Sequence, residues 1–166
     1  VARSLRNMVV DCGPSRIVQP EPRSDLLFHM EIAMGDKNEK ARTVFIVDDE
    51  PAITDALSSF ASMLDLTAKS FASAAEFLQY SESEGLPDSA CLIVDVRMPK
   101  INGLELIERL TALGIDIPAI VMTGHGDESL RQRSAELGAV AFLEKPFRPD
   151  EFKEIMRLAM GMENDS

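Results

Sequence analysis

The sequence predicts an α/β fold on a parallel sheet covered on both faces, and two observations predict it. Short apolar runs rich in β-branched and aromatic residues recur along the chain, at Thr43 to Asp48, Cys91 to Asp95, Pro118 to Thr123 and Ala141 to Lys145. Runs of this kind suit strands buried on both faces, and the segments between them carry apolar residues at helical spacing. The runs also end alike: acidic, hydroxyl or basic residues follow the apolar ones, at Asp48-Asp49-Glu50, Asp95, Thr123 and Glu144-Lys145-Pro146. In a parallel sheet the C-terminal strand ends share one edge, bordering the crevice where open α/β sheets bind ligands. Asp48, Asp49, Asp95, Thr123 and Lys145 therefore converge on one rim. Three carboxylates, a hydroxyl and an ammonium together describe a site for Mg²⁺ and a phosphoryl group.

Five β/α units account for the chain from Thr43 onward. Thr43 to Asp48 form the first strand. Pro51 then stands where proline is tolerated at a helix start, and Ile53, Leu57, Phe60 and Leu64 line one face for the sheet. A short strand near Leu66 to Phe71 follows, and Ser73 with Glu76 forms a capping box opening a helix through Phe77 and Leu78. Gly85, Pro87 and Asp88 make the loop to the central strand, Cys91 to Asp95. Pro99 and Gly103 break the chain before a helix with Leu106, Ile107, Leu110 and Leu113 inward, closed at Gly114. After the fourth strand, Pro118 to Thr123, Gly124 and Gly126 make the loop mobile, and Asp127 caps a helix through Leu130, Ser134 and Leu137 that ends at Gly138. Ala141 to Lys145 form the fifth strand. Pro149, Asp150 and Glu151 start the last helix, with Phe152, Ile155, Met156 and Ala159 facing the core.

Composition narrows the function classes. At 166 residues and 45% hydrophobic, the chain fills a single core with residues left for a tail. Residues 1–40 balance six basic against six acidic side chains, so the net charge of −11 resides in residues 41–166. A domain so acidic repels nucleic acid, which argues against direct DNA binding by this chain. No apolar stretch is long enough to cross a bilayer and no signal-peptide core is present, so the expected location is cytoplasmic, with no membrane partner. Cys12 and Cys91 make no disulfide framework, and Cys91 reads as a small buried hydrophobe. Gly13, Pro14, Pro20 and Pro22 interrupt residues 1–40, which are expected to form a largely flexible extension. A short helix over 24–34, capped by Ser24, is the one element expected there, and Met30 or Met34 would place a start at ordinary distance before the first strand. His29 has no partner at metal spacing. The folded domain is expected over 41–162, followed by a polar tail over 163–166.

Five segments then carry a resemblance. Val47-Asp48-Asp49-Glu50-Pro51, Phe71-Ala72-Ser73-Ala74, Val94-Asp95-Val96-Arg97-Met98-Pro99 with Asn102-Gly103-Leu104-Glu105-Leu106, Met122-Thr123-Gly124-His125-Gly126-Asp127, and Phe142-Leu143-Glu144-Lys145-Pro146-Phe147 occur in this order at spacings that fit five units. Together they resemble the receiver domain of two-component response regulators, and more closely its FixJ-type subgroup, from about Thr43 to about Met162. The resemblance implies a doubly wound, flavodoxin-like sheet of order 2-1-3-4-5 with helices on both faces. It implies that Asp95 is the nucleophile and the phosphorylated residue. Asp49 and Asp95 would bind Mg²⁺ directly, Asp48 would act largely through a bound water, and the backbone carbonyl of Arg97 would supply a further oxygen. Lys145 and Thr123 would serve the phosphoryl oxygens. Thr123 would be drawn toward the phosphoryl group while Phe142 turns inward, and a cis bond before Pro146 would aim Lys145. Arg97 and His125, two residues past Asp95 and Thr123, would border the site and modulate hydrolysis by controlling water access.

The expected function is a phosphoacceptor that takes a phosphoryl group from a histidine kinase or histidine phosphotransfer protein and switches its protein-binding surface. The face expected to change comprises Asp127 to Leu137, Ala141 to Glu144 and Pro149 to Met160, where a downstream protein or a second copy would bind. Beyond its own phosphorylation and dephosphorylation, no enzyme activity is expected. Two other readings stand beside this one. The chain could be the receiver fragment of a FixJ-type DNA-binding transcription regulator, its DNA-binding domain lying beyond Ser166, although the polar ending Glu163 to Ser166 resembles a natural terminus. It could also be a Mg²⁺-dependent phosphohydrolase with an aspartyl-phosphate intermediate, but the sequence offers neither a second acid near Asp95 as general acid nor a substrate cap. Arg131 and Arg133 read as a solvated face in preference to a pairing with acids across a dimer, and Met156, Met160 and Met162 as packing or fraying at the last helix in preference to an interface.

Overall fold

The computed structural model describes residues 41–162. The extension expected over residues 1–40, its helix over 24–34, Cys12, His29 and the tail over 163–166 lie outside the described residues. Strands and helices alternate throughout: β1 (Thr43–Val47), α1 (Pro51–Met63), β2 (Thr67–Phe71), α2 (Ala74–Glu84), β3 (Ala90–Asp95), α3 (Gly103–Ala112), β4 (Ala119–Thr123), α4 (Glu128–Glu136), β5 (Ala141–Glu144) and α5 (Pro149–Met160). All strand pairs are parallel and the sheet order is β2-β1-β3-β4-β5, the doubly wound order expected. No helix among the described residues is long and apolar enough to cross a membrane.

The period of two along each strand feeds two separate cores. Phe45 and Val47, with Leu92, Val94 and Val121, face one side, where Phe77 of α2 and Leu106, Ile107 and Leu110 of α3 cover them. Val44 and Ile46, with Cys91, Ile93, Ile120, Met122 and Leu143, face the other, under Leu57 and Ala61 of α1 and Phe152 and Met156 of α5. Every residue of β1, β3 and β4 is buried, which explains their continuous apolar runs. β2 lies at the sheet edge with Thr67, Ser70 and Lys69 exposed, so its sequence carries the weakest strand pattern.

Helix ends depart in detail from the sequence expectation. The deepest line of α1 is Thr54, Leu57 and Ala61, with Ile53, Phe60 and Leu64 half-buried beside it. Small side chains let the helix lie close to the sheet, and the Thr54 hydroxyl donates to the Pro51 carbonyl at 3.0 Å. Only half of the expected box at α2 forms: Ser73 Oγ accepts from the Glu76 amide at 3.2 Å, while the Glu76 carboxylate accepts from Ala72 rather than from Ser73. A complete box opens α3 instead, with Asn102 and Glu105 exchanging hydrogen bonds at 2.9 Å in both directions. Leu113, expected in the core, is the residue that caps the end of α3 and is 52% exposed.

Candidate functional site

The rim forms because strands of one register stop together. Asp48 is the residue after β1, Asp95 ends β3, Thr123 ends β4 and Lys145 follows β5. Backbone hydrogen bonds hold the ends in line, from the Asp48 amide to the Phe71 carbonyl at 3.2 Å and from the Lys145 amide to the Thr123 carbonyl at 2.8 Å. The structure brings Asp48, Asp49 and Asp95 together with one carboxylate oxygen of each within 4.8 Å of the others. Asp48 and Asp95 are buried and Asp49 is exposed at the mouth.

Lys145 reaches into this cluster. Its ammonium donates to Asp48 Oδ2 at 2.8 Å, lies 3.2 Å from Asp95 Oδ1 and stands 3.9 Å from Glu50 Oε1. The other Asp48 oxygen accepts from the Glu50 amide at 2.9 Å, so both are committed. Burial pushes the Asp95 carboxyl above its ordinary pKa; Lys145 opposes the shift, and the charges of Asp48 and Asp49 reinforce it. Burial also works against the charge on Lys145, but the hydrogen bond and charge of Asp48, and then those of Asp95, outweigh it and raise its pKa. The Lys145–Pro146 peptide bond is cis.

The donor set fits a small hard cation. Three carboxylates converge, and the ammonium already sitting among them shows that this pocket draws positive charge. All the ligand atoms are oxygens, the set preferred by Mg²⁺.

Thr123 is fully buried, and its hydroxyl both donates to the His125 carbonyl at 3.3 Å and accepts from the His125 amide at 3.2 Å. The hydroxyl thus closes the loop that follows β4. Phe142 lies half-buried in β5, and a Cβ on Gly126 would stand 2.9 Å from its ring. The expected neighbours of the mouth, Arg97 and His125, are both exposed. Asp127 caps α4, with its Oδ1 accepting from Ser129 Oγ and the Leu130 amide, each at 2.7 Å. The Ser129 hydrogen bond is the main reason its pKa is low, and the charge of Arg97 adds to the effect.

Arg131 and Arg133 are exposed, as expected of a solvated face, but both are tied within the chain. Arg131 pairs with Glu144 at 3.1 Å and lies 4.5 Å from the centre of the Phe142 ring; Arg133 pairs with Glu108 of α3 and with Glu136. Sequence reasoning placed Gly103 as a chain break before α3 and did not foresee how closely it packs. It has no room for a side chain, because a Cβ there would press into the Asp95 backbone carbonyl. The Asn102-x-x-Glu105 spacing was the available signal for this packed helix start.

A model of the response regulator receiver domain matches residues 44–157, and the chain belongs to that family. It is 38% identical over 125 residues to the Response regulator protein TmoT of Ectopseudomonas mendocina, covering 75% of this chain and 56% of that protein. To the Transcriptional regulatory protein FixJ of Azorhizobium caulinodans it is 40% identical over 119 residues, covering 71% of this chain and 54% of that one. The crystal structure of FixJ-N superposes with a TM-score of 0.65 at 35% identity, covering 75% of this chain and 98% of that one. The receiver is of the FixJ type, and accepting a phosphoryl group is the general function of its family. The chain spans about half the length of the curated relatives it matches.

Proposed function

We propose that this chain takes a phosphoryl group from a phosphohistidine of a histidine kinase or histidine phosphotransfer protein onto Asp95, and changes its protein-binding surface as a result. The observation that carries this reading is the half-buried Lys145 ammonium bridging the buried carboxylates of Asp48 and Asp95 at 2.8 and 3.2 Å. A carboxylate oxygen of Asp95 attacks phosphorus, the bond from phosphorus to the histidine nitrogen breaks, and the nitrogen keeps the electron pair. The product is an acyl phosphate on Asp95. Charge develops mainly on the phosphoryl oxygens, so positioning and compensation matter more than activation of the nucleophile. Mg²⁺ held by Asp49 and Asp95, with Asp48 through a water and the Arg97 carbonyl as a further oxygen, would neutralise that charge. Lys145 exchanges a carboxylate for a phosphoryl oxygen, and Thr123 turns its hydroxyl from the His125 backbone toward another.

The turn of Thr123 frees its loop, and Phe142 turns inward into the space it leaves. Through β5 this reaches the face formed by α4, β5 and α5, where a downstream protein or a second copy would bind. In this reading the chain turns over no separate substrate; its chemistry is its own phosphorylation and dephosphorylation, with Arg97 and His125 setting access of water. One observation favours a second reading: relatives named as transcriptional regulatory proteins are about twice as long as the matched segment. This receiver would then be the input half of such a regulator, with DNA bound by another domain.

Asp95→Asn keeps the shape of the side chain and removes the nucleophile. With acetyl phosphate and Mg²⁺, intact-mass spectrometry is expected to show one phosphoryl adduct on the wild-type chain and none on the folded variant. An adduct of equal yield on Asp95→Asn would move the acceptor elsewhere.

A further inference from the structure

We infer that Arg131 is a latch that biases this receiver toward its unphosphorylated arrangement, an inference that rests on the phosphoacceptor reading above. Three contacts point to it. The Arg131 guanidinium carbon lies 4.5 Å from the centre of the Phe142 ring, within cation–π distance. Its Nη2 is pinned by Glu144 Oε2 at 3.1 Å, two residues along β5 from Phe142 on the same side of the strand. A second constraint on the ring comes from Gly126, where even a Cβ would stand 2.9 Å from it.

The ring therefore cannot change place without leaving the guanidinium, and the guanidinium cannot follow without leaving Glu144. Arg131 sits on α4, whose only buried residue is Ser134, so apolar packing alone anchors this helix weakly. Its ties to neighbouring elements are ionic ones, Arg131 to Glu144 of β5 and Arg133 to Glu108 of α3. A helix seated in this way is bistable at small cost, and the contact that touches the moving ring sets its resting position. Lysine in place of Arg131 keeps the charge but has no planar face to lay on Phe142. Both partners of the pair are about half exposed, at 45% and 49%, so salt screens the ionic half of the latch while the stacked half persists.

The test uses beryllofluoride with Mg²⁺, which stands in for the phosphoryl group on Asp95, and the amide NMR shifts of Gly124 and Gly126. In the wild type these peaks define a line from the free to the beryllofluoride-bound position. In free Arg131→Ala they are expected to lie part-way along that line, and half-saturation by beryllofluoride is expected at roughly three- to tenfold lower concentration, the bias that one exposed stack and one exposed ion pair supply. Arg131→Lys is expected to fall between the two, and Glu144→Gln to shift in the same direction by less. Peaks of Arg131→Ala at the wild-type free position with an unchanged midpoint would overturn the latch, as would a Lys variant that equals the wild type. A wild-type chain that takes up no beryllofluoride would instead overturn the phosphoacceptor reading itself.

Discussion

Cys91 and Asp95 stand four residues apart on β3, and burial disfavours charge on both. Cys91 has only this effect: its thiol is pushed up to about 12 from an ordinary 9.0. Asp95 has Lys145 at 3.2 Å to offset the same penalty, which separates a site carboxylate from a core thiol. For Cys91 the sign follows directly. A folded pKa raised above the unfolded one contributes stability that is complete below pH 9 and is lost as pH rises through 9 toward 12. In a Cys12→Ser background the native chain is expected to resist Ellman's reagent at pH 8 over a time in which the urea-unfolded chain reacts fully. Rapid labelling of the native protein would show that β3 opens readily.

At the scale of elements, the joint between β3 and α3 controls where the acceptor sits. The Gly103 amide donates to the Val96 carbonyl at 3.2 Å, and its Cα packs against the Asp95 backbone with no space for a methyl group. Unlike a long side chain, the carbonyl it would strike cannot swing away. Gly103→Ala is therefore expected to cost about 1–3 kcal/mol in urea denaturation and to slow phosphorylation by acetyl phosphate, because the strand end moves with the helix. Asn102→Ala, which removes the cap alone, is expected to cost about 1 kcal/mol and to leave the phosphorylation rate near wild type. Equal effects of the two on phosphorylation would mean that Gly103 acts only through the stability of α3. The same scale contrasts α5, seated by Phe152 and Met156, with α4, seated by Ser134 and ion pairs. The helix with less apolar anchorage is the one suited to move.

For the whole molecule, the acidic rim sets a condition on stability. Asp48, Asp49 and Asp95 repel one another, and Lys145 supplies one positive charge against three negative. A divalent cation bound only by the folded chain stabilises it by mass action, about 1.4 kcal/mol at ten times its dissociation constant. The melting temperature is expected to rise by a few degrees between EDTA and millimolar Mg²⁺. Asp49→Asn is expected to remove most of that rise, since Asp49 contributes its carboxylate at the mouth and supports no core contact. A Mg²⁺-independent melting curve for the wild type would show that the cluster does not hold the ion.

What the sequence determined by itself was the fold and the identity of the rim. Buried parallel strands leave continuous apolar runs, and residues at their C-terminal ends share an edge whatever the loops do, so Asp48, Asp95, Thr123 and Lys145 could be placed together before any contact was known. Local signals of short range were legible on the same terms, including the Asp127 cap and the proline starts of α1 and α5. The tertiary structure alone decided matters of distance between segments far apart in the chain. Lys145 chooses Asp48 and Asp95 across 97 and 50 positions, Gly103 is glycine because of a carbonyl eight residues away, and the exposed Arg131 is tied to Phe142 and Glu144. Periodicity reports which face a side chain takes, and it carries no information on which partner waits there. The Ser73 box failed by half for the same reason: the spacing was present, and the Glu76 carboxylate met the Ala72 amide first.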